Sequence, residues 1–151
     1  MTVSLLLTSI TGAIDDISVS GVVIKNYNGV AAAWQSQPNV MYPNPEGFIS
    51  DFELTFPSLL RGASAPQDVH YTLNYRFLGS AVGDLSQMAQ EYSEVITKTV
   101  LILNAFQGVA APYSGKVEME VIDVSVGARS DPAGNIYHGA DIALRISEMQ
   151  N

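Results

Sequence analysis

Val69-His70-Tyr71-Thr72-Leu73-Asn74-Tyr75-Arg76-Phe77-Leu78 alternates apolar and polar residues as far as Phe77. Val69, Tyr71, Leu73, Tyr75 and Phe77 fall on one face, and His70, Thr72, Asn74 and Arg76 on the other. A two-residue period over this length predicts a strand with one apolar side. Downstream the period changes. From Leu85 to Phe106 the residues Leu85, Met88, Tyr92, Ile96, Thr99, Leu103 and Phe106 form a helical stripe. Asp84 is the expected cap, with Gln87 at the capping-box position and Gly108 as the stop. At about 1.5 Å per residue this helix spans ~33 Å, the length of a ten-residue strand at about 3.4 Å per residue. The two can lie along each other and share one core.

Working outward, the apolar residues Val3, Leu6, Leu7, Ile10, Ala13, Ile14 and Ile17 predict an N-terminal amphipathic helix, with Gly21 beyond it. Val22-Val23-Ile24 reads as a short strand ended by the turn Asn26-Tyr27-Asn28-Gly29. Ala31-Ala32-Ala33-Trp34 reads as a helical turn and Asn39-Val40-Met41-Tyr42 as a strand, followed by the rigid Pro43-Asn44-Pro45-Glu46-Gly47. Phe48, Ser50, Phe52, Leu54 and Phe56 alternate with Ile49, Asp51, Glu53 and Thr55, predicting a strand with one acidic, wet face. Residues 57–68 read as a long, mobile loop.

The last third reads as a hairpin. Val117, Met119 and Val121 alternate, then the phase slips to Ile122, Val124 and Val126, which predicts a β-bulge. Asp131-Pro132-Ala133-Gly134 has the residues of a type I turn. The return strand carries Ile136, His138, Ala140, Ile142, Leu144 and Ile146 on one face. The order predicts a single domain over residues 1–151: a two-layer α+β fold with a mainly antiparallel sheet, an N-terminal helix and a long central helix.

Composition limits the functions open to such a domain. The chain has 151 residues, with 47% hydrophobic and only 15% charged residues and a mean hydropathy of +0.16. Low charge favours a subunit with surfaces covered by neighbours. Seven basic against fifteen acidic residues give −8. Lys25, Arg61, Arg76, Lys98, Lys116, Arg129 and Arg145 stand singly, so neither nucleic acid nor an anionic membrane finds a cluster of cations. With no cysteine, disulfides and thiolate metal sites are excluded. The apolar run Val3–Ile10 lacks a basic flank, so the expectation is a soluble chain made in a cytoplasm.

Catalytic and cofactor signatures are not found. There is no GxSxG elbow. His138 and Asp141 point to opposite faces of one strand, so both histidines are read as structural. Gly115-Lys116 follows a helix and lacks the Ser or Thr of a phosphate-binding loop. Glu118 and Glu120 share a strand face and are read as solvated. The reading is therefore a non-enzyme without cofactor or metal. Candidate contact residues are Tyr42, Pro43, Asn44, Pro45, Leu59, Leu60 and Arg61, which place large or rigid groups in loops. Two readings stand for them: burial by a partner, or packing back onto the sheet.

Val40-Met41-Tyr42-Pro43-Asn44-Pro45, Tyr71-Thr72-Leu73-Asn74-Tyr75-Arg76-Phe77, and Asp131-Pro132-Ala133-Gly134-Asn135 through His138-Gly139-Ala140-Asp141 resemble stretches of siphophage tail-completion proteins. The layout over most of the chain is similar to that of the tail terminator family. The resemblance implies an α+β virion protein at the tail–neck junction. It implies a homohexameric ring that caps the tail tube protein and docks to a neck or connector protein, with DNA passing through the lumen without specific binding. A neck or head-completion subunit shares the same layout, and a small ligand-binding module with an apolar groove is a reading from another class.

Overall fold

The computed structural model describes residues 3–25, 37–44, 46–55, 68–83, 85–109 and 117–149. Helix α1 spans Val3–Asp15 and helix α2 Met88–Phe106. The strands are β1 (Val23–Ile24), β2 (Val40–Pro43), β3 (Ile49–Thr55), β4 (Asp68–Ala81), β5 (Val117–Ser130) and β6 (Ile136–Met149). They form a six-stranded sheet in which β1-β2-β4-β6-β5 run in order and β3 pairs with β4 off this path, antiparallel except for the parallel β1–β2 pair. The expected two-layer α+β architecture is what is seen. The turn Asn26–Gly29, Ala31–Trp34, Pro45, residues 56–67 and the Asp84 cap lie outside the described residues. Asp68, placed in the loop from sequence, already belongs to β4.

Strand β4 organises the sheet. One edge pairs along its length with β6, from Asp68↔Met149 to Ala81↔Tyr137. The other is shared: β2 pairs with residues 75–78 and β3 with residues 68–73. Asn74 sits at the division. Its backbone N–H donates to Phe48 O (2.8 Å) and its carbonyl accepts from Asn44 N (2.9 Å). Its side-chain amide donates to Gly47 O (2.9 Å) and Ser50 Oγ (3.0 Å). One asparagine thus satisfies backbone groups of Asn44, Gly47 and Phe48, where the chain leaves β2 and returns as β3.

The alternation of β4 puts Val69, Tyr71, Leu73, Tyr75 and Phe77 into the core, all at or near zero exposure. Ile142, Leu144 and Ile146 of β6 lie beside them, and Ile10 and Ile14 of α1 with Val95, Ile102 and Phe106 of α2 cover them. Ring contacts fix the centre: Tyr75 meets Phe48 edge-on at 5.3 Å and Phe106 at 5.9 Å. Gly79 lets α2 approach, since a Cβ there would lie 2.7 Å from Val95 Cγ2 and 2.9 Å from His138 O.

The helix phase differs from the sequence reading. Val95, Thr99, Ile102 and Phe106 are the buried residues of α2, whereas Ile96 is 50% exposed and Leu103 only half-buried. Apolar residues occur as neighbours (Val95-Ile96, Ile102-Leu103), so two stripes fit the same sequence and sheet packing selects one. The helix start also differs: Leu85–Gln87 is a 3-10 turn, and Gln87 is the N-cap, with no side-chain cap bond, instead of the third helical residue of a capping box.

Three register shifts shape the sheet, one of them between Leu78 and Ala81 where β4 meets the start of β6. In β5 the register shifts between Val121 and Asp123, at the predicted slip. In β3 it shifts between Ser50 and Glu53, where Asp51 takes a φ of 50°. Opposite residues of a ladder share a face. Ile49 and Leu54 therefore join Leu73 and Val69 on the helix side, and Phe52 stacks on Tyr71 at 5.5 Å. The unbroken alternation expected for this strand is overturned, with Ser50 and Glu53 on the outer face beside Thr72 and His70. The β5–β6 turn is as expected. Gly134 N donates to Asp131 O (3.0 Å), Gly134 has a φ of 93°, and the Asp131 carboxylate accepts from Asn135 N (2.8 Å) and Nδ2 (3.1 Å).

Candidate functional site: the outer sheet face and its edge strand

The sheet face away from the helices carries a buried apolar cluster of Val40, Tyr42, Leu78 and Tyr137 at one end and is polar beyond it. Register sets Tyr42, Arg76, Asp141 and Ser125 in one row across β2, β4, β6 and β5. Arg76 donates from Nε to Asp141 Oδ1 (2.8 Å) and from a terminal nitrogen to Oδ2 (3.3 Å); Arg129 Nε donates to the same Oδ2 (2.8 Å). Arg76 also donates to Ser130 O (3.1 Å), and Arg129 to Ser125 Oγ (2.8 Å) and Ser125 O (3.1 Å). Burial alone would lower the pKa of Arg76, but the bonds and charge of Asp141 outweigh it and raise it. One carboxylate between two arginines leaves this group with one net positive charge. It ties three strands and the end of the hairpin together.

Farther along the same face the charge reverses. Glu118, Glu120 and Asp123 of β5 are exposed. Arg145 donates to Glu53 (3.2 Å) and to Asp51 O (3.3 Å), which holds the β3 bulge. Glu118, Met119, Glu120, Arg145 and Ser147 line a shallow depression of about 360 Å³. His70 and Ser147 are hydrogen-bonded across the strands at 2.9 Å.

Two polar contacts lie on the helix side. His138, 2% exposed, places Nε2 2.6 Å from Glu91 of α2, with Tyr92 edge-on to its ring at 4.7 Å. Asp141 faces the other way, toward Arg76, as strand geometry requires. Tyr71 donates to buried Glu148 at 2.6 Å. Burial raises the pKa of Glu148, and the Tyr71 bond opposes that only in part.

Among the residues singled out from sequence, Tyr42 and Pro43 are buried in β2, Tyr42 in the cluster with Val40, Leu78 and Tyr137. Burial pushes the Tyr42 hydroxyl up to about 12, with Arg76 beside it. Asn44 is half-buried, and its Oδ1 accepts from Glu46 N at 3.0 Å. Pro45, Leu59, Leu60 and Arg61 lie outside the described residues. What sequence reasoning missed is the surface of β5. This strand pairs only with β6 among the described residues, and Val121, Ile122 and Val126 are all well exposed. The signal was present in the adjacent apolar residues Val121 and Ile122, which a strand directs to opposite faces. Among the described residues, no group of three or more His, Asp or Glu has metal-binding geometry, and no helix is long and apolar enough to cross a membrane.

No known family model matches the chain, and no curated protein matches it.

Proposed function

We propose that this chain is a structural virion subunit at the tail–neck junction of a long-tailed phage: a tail terminator that caps the tail tube and docks it to the head–neck complex as a homohexameric ring. The observation that carries this reading is the element order of α1, four strands, α2 and a long β5–β6 hairpin. It is the layout that the family resemblance implies. Ile96, Val100 and Leu101 on the outside of α2, with Phe52 and Leu54 on β3, add apolar surface for subunit contacts. The mechanism is geometric, without turnover: the ring occupies the growing end of the tube, and its second face presents the docking site. The exposed acids Glu118, Glu120 and Asp123 suit a surface past which DNA slides without sticking.

Native mass spectrometry over a concentration series, with negative-stain images, tests the ring. A hexamer with an open centre is the expected result. Added to polymerising tube subunits, the protein is expected to halt elongation. Tubes that grow to the same length with and without it would refute the capping role.

A further inference from the structure

We propose that β5 is a self-pairing edge, through which two copies of this chain join their sheets antiparallel across a two-fold axis. The strand runs 14 residues at the end of the sheet, and among the described residues no strand pairs with its outer edge, although the Arg129 side chain donates to the Ser125 and Ala128 carbonyls of the strand. Such a row of backbone donors and acceptors is a template for another strand. Edges that must stay single are short, or carry charges on their apolar side. Here the helix-side row of β5 is Val117, Met119, Val121, Val124, Val126 and Ala128, with Val121 39% and Val126 37% exposed.

Charge selects the partner. The three acids Glu118, Glu120 and Asp123 occupy the first half of the strand, and Arg129 the second. Parallel self-pairing would set acid against acid. Pairing with the edge of β3 would bring Asp51 and Glu53 to a strand already rich in acids. Antiparallel pairing that uses the full strand sets Val117 opposite Ser130 of the second copy. The same register sets Glu118 opposite Arg129, Met119 opposite Ala128, Glu120 opposite Gly127 and Val121 opposite Val126. These matches exist because of the bulge: it reverses the parity of the strand, so that Glu118 and Arg129 share the outer face and Val121 and Val126 the helix side. The surplus positive charge of the Arg76–Asp141–Arg129 group then lies beside the second copy's Glu118. At the axis the two bulges meet. A two-fold contact uses the same surface twice and closes as a pair, whereas a ring joins two different surfaces. The inference therefore stands apart from the terminator reading.

The chain contains no cysteine, which makes disulfide trapping clean. Full-length Val121→Cys and Val126→Cys proteins, carrying tags of different mass, are mixed and oxidised. Opposed Cβ atoms in a ladder lie about 4.5–5.5 Å apart, close to disulfide reach. The expected product is a mixed dimer, at least about tenfold above either variant alone. A second measurement is sedimentation velocity of Val126→Lys, an exposed site where folding is checked by circular dichroism. The two-fold contact is expected to be lost, so that Val126→Lys sediments as half of the wild-type assembly: a single ring where wild type pairs two rings, or a monomer where wild type is a dimer. No enrichment of the mixed disulfide, or an assembly that Val126→Lys leaves unchanged, overturns the proposal. A hexamer trapped instead between Phe52→Cys and Val121→Cys would also overturn it while leaving the ring reading intact.

Discussion

Tyr71 and Tyr75 sit on the same face of β4, and both are buried, yet removing their hydroxyls should have opposite effects. Tyr71 donates to Glu148 at 2.6 Å. The Tyr75 ring packs against Phe48 and Phe106, and its buried hydroxyl has no hydrogen-bond partner among the described residues. Burial, reinforced by the charge of Asp15, pushes its ionisation well above the ordinary tyrosine range. Desolvating a hydroxyl without a partner costs about 1–3 kcal/mol in protein mutational data. Tyr75→Phe keeps the ring and its edge-on contact with Phe48, so it should recover about 1–2 kcal/mol. For a domain of this size each kcal/mol moves Tm by about 2–4 °C, giving a rise of ~2–8 °C. Tyr71→Phe instead leaves the buried Glu148 oxygen without its donor and should cost about 1–3 kcal/mol. The assay is urea unfolding of wild type and both variants at one protein concentration, with the slope checked for constancy. A Tyr75→Phe midpoint below wild type, or equal to that of Tyr71→Phe, would refute the assignment of a costly orphan hydroxyl.

Three further outcomes are expected. Glu148 has its pKa raised by burial, so its folded carboxyl holds a proton to higher pH than the unfolded one. Its contribution to stability is full below the ordinary carboxylate pKa and is lost as pH rises through the raised value. Glu148→Gln should remove that decline, and parallel pH profiles of midpoint for the two proteins would contradict it. Gly139→Ala would drive a Cβ into Phe77 O and against Leu78, and should destabilise by about 1–3 kcal/mol, read as a lower Tm. Asp141→Asn removes the charge that Arg76 and Arg129 share. The cost should be about 1–2 kcal/mol, because the carboxylate is 33% exposed and partly screened, and it should shrink in high salt.

Much of the fold is legible because the sequence repeats one signal at several levels. β4 as far as Phe77 and β6 alternate, and Asp131-Pro132-Ala133-Gly134 supplies both the turn residues and the carboxylate that caps it. The β5 bulge is readable because two apolar residues, Val121 and Ile122, become adjacent there. The β3 bulge is hidden for the converse reason. Phe48, Ser50, Phe52 and Leu54 preserve a perfect period while a single left-handed residue, Asp51, turns the strand beneath it. The side of α2 that meets the sheet is ambiguous in sequence, since Ile96 and Val100 are as apolar as Val95 and Thr99; only Gly79, which admits Val95, settles it. The candidate site was the least legible part. Arg76 and Asp141 meet across 65 positions, and Glu91 and His138 join different layers. Such pairs become visible only once strand register is known.

The pairing of β4 with β6 governs the order in which the molecule can assemble. The hairpin of β5 and β6 closes over a short turn and needs only its own residues. β4 must find a partner that begins after the whole of α2 and β5, so the central ladder is a long-range closure and a slow step. Until it closes, the row Val69, Tyr71, Leu73, Tyr75 and Phe77 has only the short strands β2 and β3 on one edge and nothing on the other. Refolding should therefore be limited by docking of a preformed hairpin onto β4. The waiting species, with an apolar strand edge open, is the one most prone to aggregate.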